Sequence, residues 1–187
     1  MKGSLKAIIG IVVVIALVAI YFGSTYNSLI SKAEEVDAQW AVVESKLQRR
    51  YDLIPNLVES VKGTMKQEQE VFGRIADARA KMAGARTTEE QVAASNELEG
   101  ALSRLLVVME NYPQLQSAEN VNRLMDELAG TENRISVERD RYNALVKEYN
   151  RSIKTFPRNI VAGLMGFEEK IYFEAAEGAE TAPQVQF

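Results

Sequence analysis

Between Lys6 and Lys32 the chain carries no charge, and Ala7 to Gly23 is almost wholly aliphatic. A helix crosses a hydrocarbon layer roughly 30 Å thick with about 20 apolar residues, so residues 7–26 predict a transmembrane anchor. Tyr21, Phe22 and Tyr26 are placed to act as interfacial aromatics at its far boundary. Beyond the anchor the apolar positions take up a 3-and-4 rhythm. Leu29, Ala33, Val36, Trp40, Val43 and Leu47 form the seam of an amphipathic helix. After Leu47 the register slips by one and resumes through Tyr51, Ile54, Val58, Val61, Met65, Phe72, Ile75 and Met82. A slip next to Pro55 predicts a local kink; one bent helix and two abutting helices both satisfy the pattern.

Ala83 to Thr88 reads as a turn, with Thr88 and Gln91 as the capping box of a second helix reaching about Asn111. Its seam is Ala94, Leu98, Ala101, Leu105 and Val108, and Leu102, Leu106 and Met109 form a second apolar stripe beside it. A face that broad needs cover on two sides. Tyr112-Pro113 ends this helix, and Val121, Leu124, Leu128, Thr131, Ile135, Glu138, Tyr142, Leu145 and Tyr149 carry a third one, capped by Ser117, to Thr155. The next piece, Phe156 to Phe167, is apolar on most sides, too short to span, and broken by Gly163 and Gly166. It reads as a short fourth helix that fills the bundle, with lipid contact or docking of another chain as the functional alternatives. The expected fold is all-α: an elongated antiparallel helical bundle of three long helices plus a short fourth, preceded by one N-terminal transmembrane helix. The expected division is a short basic N-terminus (1–6), the anchor (7–26), the bundle (27–173) and a flexible C-terminal tail (174–187).

The basic start, Lys2 and Lys6, also suits a cleaved signal peptide. The apolar run outlasts an ordinary h-region and lacks a good small-x-small site, so an uncleaved signal anchor fits better. Lys and Arg near the span favour the amino terminus inside and the soluble domain outside the cytoplasm. A net charge of -4 and a pI near 5.1 argue against nucleic acid as a partner. The chain has neither histidine nor cysteine, which removes Glu-x-x-His diiron sites, thiolate zinc, Ser-His-Asp triads and thiol nucleophiles. No cofactor or metal site is expected. Carboxylates are abundant, and Glu68 and Glu138 occupy seam positions, where Arg79 or Arg134 are candidate partners. A carboxylate-dependent hydrolase is the enzymatic alternative, and a specificity-giving polar layer is the preferred one.

Tyr26-Asn27, Trp40, the block Gln48 to Val58 (QRRYDLIPNLV), Tyr142-Asn143, Tyr149-Asn150, Phe156-Pro157 and a Pro-x-Val-x-Phe ending together resemble the LemA family, from anchor to tail. The resemblance implies a bacterial protein with an N-terminal membrane helix, an antiparallel helical bundle and no agreed biochemical activity. Proteins of this family are also described in the opposite orientation, and some resemble neighbours of membrane-stress functions such as HtpX-like metalloproteases. Independently of the family, Arg49 and Arg50 fit the carboxyl end of a first helical piece, and Asp52 and Asn56 offer partners to amides freed by Pro55. The functional alternative is that Arg49, Arg50 and Asp52 form a polar latch read by a partner or by a second subunit.

These readings converge on a non-enzymatic scaffold in the bacterial inner membrane, anchored in the lipid bilayer through residues 7–26, that self-associates as a homo-oligomer or binds partner proteins. Its candidate contact residues are Arg49, Arg50, Asp52, Leu102, Leu106, Met109, Phe156, Ile160, Leu164 and Phe167. The runner-up is an accessory subunit of a membrane protease or envelope-stress system.

Overall fold

The structure, a computed structural model, describes residues 2–174. Apart from Glu174, the expected C-terminal tail and its Pro-x-Val-x-Phe ending lie outside the described residues. Six helices and no strand occur among them: α1 (Lys2–Lys62), α2 (Gln69–Gly84), α3 (Thr88–Met109), α4 (Pro113–Gln116), α5 (Glu119–Lys154) and α6 (Arg158–Met165). The fold is an all-α bundle preceded by an N-terminal transmembrane helix. From Ile8 to Ile20 the large aliphatic side chains are each 51–68% exposed, so none of the described residues covers them.

Helix α1 continues unbroken through Pro55, and the expected register slip is absent. From residue 43 on, its buried seam is Val43, Leu47, Arg50, Ile54, Leu57 and Val61, a 4-3-4-3-4 alternation that Arg50 occupies as a seam residue, with Leu53 buried beside it. The slip came from excluding a charged side chain from the core stripe. Arg49 and Arg50 therefore lie in mid-helix and not at a carboxyl end. The break falls later, at residues 63–68, where the amides of Thr64 and Met65 both donate to Val61 O at 3.0 Å and close the last turn. The stretch up to Met82, expected as one bent helix or as two helices abutting near Pro55, is two helices, α1 and α2, that meet at residues 63–68 instead.

The capping box of α3 lies one residue earlier than expected. Thr87 is the extended N-cap, its side chain accepting from Glu90 N, while the Glu90 carboxylate accepts from Thr87 N at 3.2 Å and Arg86 N at 2.7 Å. Two overlapping Thr-x-x-acceptor patterns compete here, 87–90 and 88–91. The acidic one gains from the positive end of the helix as well. Those two backbone bonds hold the Glu90 carboxyl below its ordinary range. A further one-turn helix, α4, stands where the sequence suggested only a chain break.

The chain divides into two compact units. One comprises residues 1–40 and 141–170. In it α1 and α5 run antiparallel, as the pairings Lys32–Glu148 and Trp40–Tyr142 require, the two rings lying 5.1 Å apart. Leu29, Val36, Tyr142, Val146 and Tyr149 are buried there, together with Val161 and Ala162 of α6. Asn150 clamps the chain after α6, donating to Lys170 O at 2.7 Å and accepting from Lys170 N at 2.9 Å. Lys154–Glu169 and Lys170–Asp37 ion pairs flank that clamp.

The other unit comprises residues 41–140 and the segment from 171. Its core joins Ile54, Leu57, Val61 and Met65 to Val71, Ile75 and Ala78 of α2, Leu98, Leu102 and Leu105 of α3, and Val121 and Leu128 of α5. Helix α3 runs parallel to α1, through Gln91–Glu44 and Ser95–Arg50, and antiparallel to α2, through Lys81–Glu97.

Candidate functional site

The seam position of Arg50 places a guanidinium in the core of the second unit, with the residue 0% exposed. A cation removed from water needs a counter-charge and hydrogen-bond acceptors, and the neighbouring helices supply both. Arg50 Nη1 donates to both carboxylate oxygens of Glu132 at 3.2 Å. Nη2 donates to Ser95 O at 3.1 Å and to Ser95 Oγ at 2.6 Å. Nε has no partner. Ser95 and Thr131 are both buried, and the Thr131 hydroxyl donates to Glu127 O on its own helix at 2.8 Å. Burial pushes the Glu132 carboxyl above its ordinary value, and the charge and hydrogen bonds of Arg50 only partly offset that.

Glu132 has a second face, because its side chain remains 33% exposed. It forms part of the wall of a groove of about 330 Å³ lying along α3 and α5. Leu102, Leu106, Met125, Leu128 and Ile135 line this groove with apolar surface, and Glu99, Glu132 and Arg139 supply charge. The wall carboxylate is thus oriented from behind by a buried cation.

The remaining candidate residues separate. Arg49 makes a surface ion pair with Glu127 of α5, and Asp52 accepts from Gln48 Nε2 at 2.8 Å on its own helix. The three residues of the expected latch therefore serve three settings: core, surface pair and exposed helix face. Leu102 and Met109 are buried within the chain's own core and Leu106 packs against it, so the double stripe of α3 is largely covered internally. Around α6 the picture is opposite: Phe156, Ile160 and Leu164 are exposed, and Phe167 makes an edge-on contact with Tyr26 at 5.9 Å.

The polar layer expected at Glu68 and Arg79 is not the one observed. Glu68 accepts from the Tyr112 hydroxyl at 3.1 Å, and the Arg79 guanidinium lies 4.3 Å over the Tyr51 ring. Glu132, Ser95 and Arg139 were missed, although Ser95 and Thr131 on apolar stripes hinted at a polar layer. Among the described residues no group of three or more carboxylates is placed to hold a metal ion.

Residues 39–187 match the model of the LemA family. The chain belongs to the LemA family. Among its relatives are magnetosome proteins MamQ 1 and MamQ 2 of Paramagnetospirillum magneticum (strain ATCC 700264 / AMB-1). Each is 27% identical across 93% of this chain and 73% of its own length. Magnetosome protein MamQ of Magnetospirillum gryphiswaldense is 26% identical across 86% of this chain and 70% of its own. The family match takes in the Arg50 layer, the groove and α6, whereas the MamQ matches, at 93% of the chain, must also reach into α1 ahead of residue 39. This LemA protein thus joins a family bundle to a helix long and apolar enough to cross a membrane.

Proposed function

We propose that this LemA protein is a membrane-anchored, non-enzymatic helical scaffold that works by self-association, or by binding a partner protein, through the groove along α3 and α5. The observation that carries the reading is the groove itself: an apolar floor, a charged rim, and a wall carboxylate held in place by buried Arg50. Such a surface suits the apolar face of an incoming helix, with the rim charges setting its register. The soluble units lie outside the cytoplasm in this reading, following the Lys and Arg bias around the span. Without histidine or cysteine the chain lacks the commonest general base and the thiol nucleophile, which favours binding over turnover.

The test is the mass of the full-length protein in mild detergent, by size exclusion with light scattering, for wild type, Leu106→Arg and Arg139→Glu. A discrete wild-type oligomer that both substitutions reduce to monomer supports assembly through the groove. A monodisperse wild-type monomer overturns self-association and leaves partner binding. An oligomer indifferent to both substitutions overturns the groove as the contact surface.

A further inference from the structure

We infer that α6 and the turn before it form a second membrane contact, an apolar wedge that enters the interfacial layer of the bilayer beside the point where α1 leaves it. The inference rests on features that all belong to the unit formed by residues 1–40 and 141–170. Phe156, Ile160 and Leu164 follow one another at four-residue spacing and are 75%, 48% and 69% exposed, with Met165 at 53% beside them. The opposite face of α6, Val161 and Ala162, is buried against its own unit. The helix is therefore fixed by one side and presents bare hydrocarbon on the other.

What covers that hydrocarbon is indicated by its place along α1. Phe167, just after α6, holds the ring of Tyr26, only three residues beyond Gly23 at the end of the aliphatic run. Three helical residues advance about 4.5 Å, less than the roughly 5–7 Å of polar interface on each side of a bilayer. Thr25 and Leu29, the first buried α1 residues after the aliphatic run that ends at Gly23, flank Tyr26. The two segments share a charge-free zone: α1 carries no charge from residue 7 to 31, and none occurs from residue 159 to 167. Charges return at Lys32 in α1 and at Glu168 after α6.

A short amphipathic helix with bulky apolar side chains out and a cation at its start is the form taken by segments lying in a bilayer interface. Arg158, the lone charge between Phe156 and Phe167, can reach headgroup phosphates from that position. The Asn150–Lys170 clamp and the Lys154–Glu169 pair hold both ends of the segment, so the wedge is presented as a formed element.

The native chain has no cysteine, which makes single-site labelling direct. Full-length Leu164→Cys and Ile160→Cys, with Val107→Cys as an exposed position in the other unit, carry an environment-sensitive fluorophore in vesicles of phosphatidylcholine and phosphatidylglycerol at a 7:3 ratio. These surface substitutions leave the core untouched, and circular dichroism verifies the helix content of each. The expected result is a blue-shifted label at 160 and 164, quenched by lipids brominated high on the acyl chain and shielded several-fold from aqueous iodide relative to position 107. Iodide access equal to that at position 107, with no quenching by brominated lipid, would overturn the inference. Shielding from both quenchers that grows with the protein-to-lipid ratio would overturn it too, assigning the face to a second copy.

Discussion

Removing the Glu132 carboxylate leaves the Arg50 guanidinium in the core with no counter-charge. Stranding one member of a fully buried ion pair costs about 3–5 kcal/mol. Here the penalty is smaller, because the Glu132 side chain is one-third exposed, water can enter from the groove, and Ser95 keeps its two bonds to Nη2. We expect Glu132→Ala to cost about 2–3 kcal/mol, which for a domain of this size lowers Tm by about 4–12 °C. Arg50→Met, an unbranched apolar side chain of similar length, removes the cation and lets Glu132 hydrate through the groove. Its expected cost is within about 1 kcal/mol of zero, since replacing a buried ionic group by packed hydrocarbon is often neutral or stabilising. The double variant should then be more stable than Glu132→Ala alone. Thermal melts followed by circular dichroism at 222 nm in one detergent check all three proteins. An Arg50→Met variant at least as damaged as Glu132→Ala, with no rescue in the double variant, would refute the buried-charge argument and make packing around Arg50 the dominant effect.

Three further outcomes are expected. The folded-state value of the Glu132 carboxyl lies above its ordinary 4.5, so the native state holds this proton more tightly than the unfolded chain does. Its contribution to stability is complete below that value and is lost as pH rises through the folded one. The stability of wild type relative to Glu132→Gln should therefore fall as pH is raised from about 4.5, and a difference that rises or stays flat contradicts the burial argument. Thr87→Ala deletes the N-cap acceptor of α3 and should cost about 1 kcal/mol, a Tm loss of about 2–4 °C in the same melts. Asn150→Ala removes both bonds to the Lys170 backbone at a cost of about 1–3 kcal/mol. Limited proteolysis should then cut faster between residues 155 and 170, and an unchanged cleavage rate would show that packing alone holds α6.

The parts of this molecule that local pattern decides were readable in the sequence. The uncharged run before Lys32 marked the span, and the alternation from Val121 to Tyr149 marked the buried face of α5: Val121, Leu128, Thr131, Ile135, Tyr142 and Tyr149 are all buried. Arg50 was misread because an isolated charge on an apolar stripe belongs outside unless a partner lies in reach. That partner stands 82 residues away on another helix. A kink was expected at Pro55, within one bent helix or between two abutting ones; the proline removes a donor and crowds the carbonyl one turn back, yet packing of Ile54 and Leu57 beside it carried α1 through as one helix. The break fell at Gly63 and Thr64, two residues of low helix propensity. The groove was invisible for the same reason as the Arg50 layer: its walls come from helices separated by a turn and α4, and only their packing brings Glu99, Glu132 and Arg139 to one rim.

Helix α1 leaves the apolar span and enters its first unit with no linker between them. The azimuth of the span is consequently locked to that of the folded unit: each residue of helix advances the phase by about 100°. One alanine inserted after Gly23 turns every lipid-facing side chain by that angle against Leu29 and Val36, whereas seven restore the phase to within about 20°. Spans that meet in the membrane would thus select, through the phase of α1, which faces of the folded units can meet outside it.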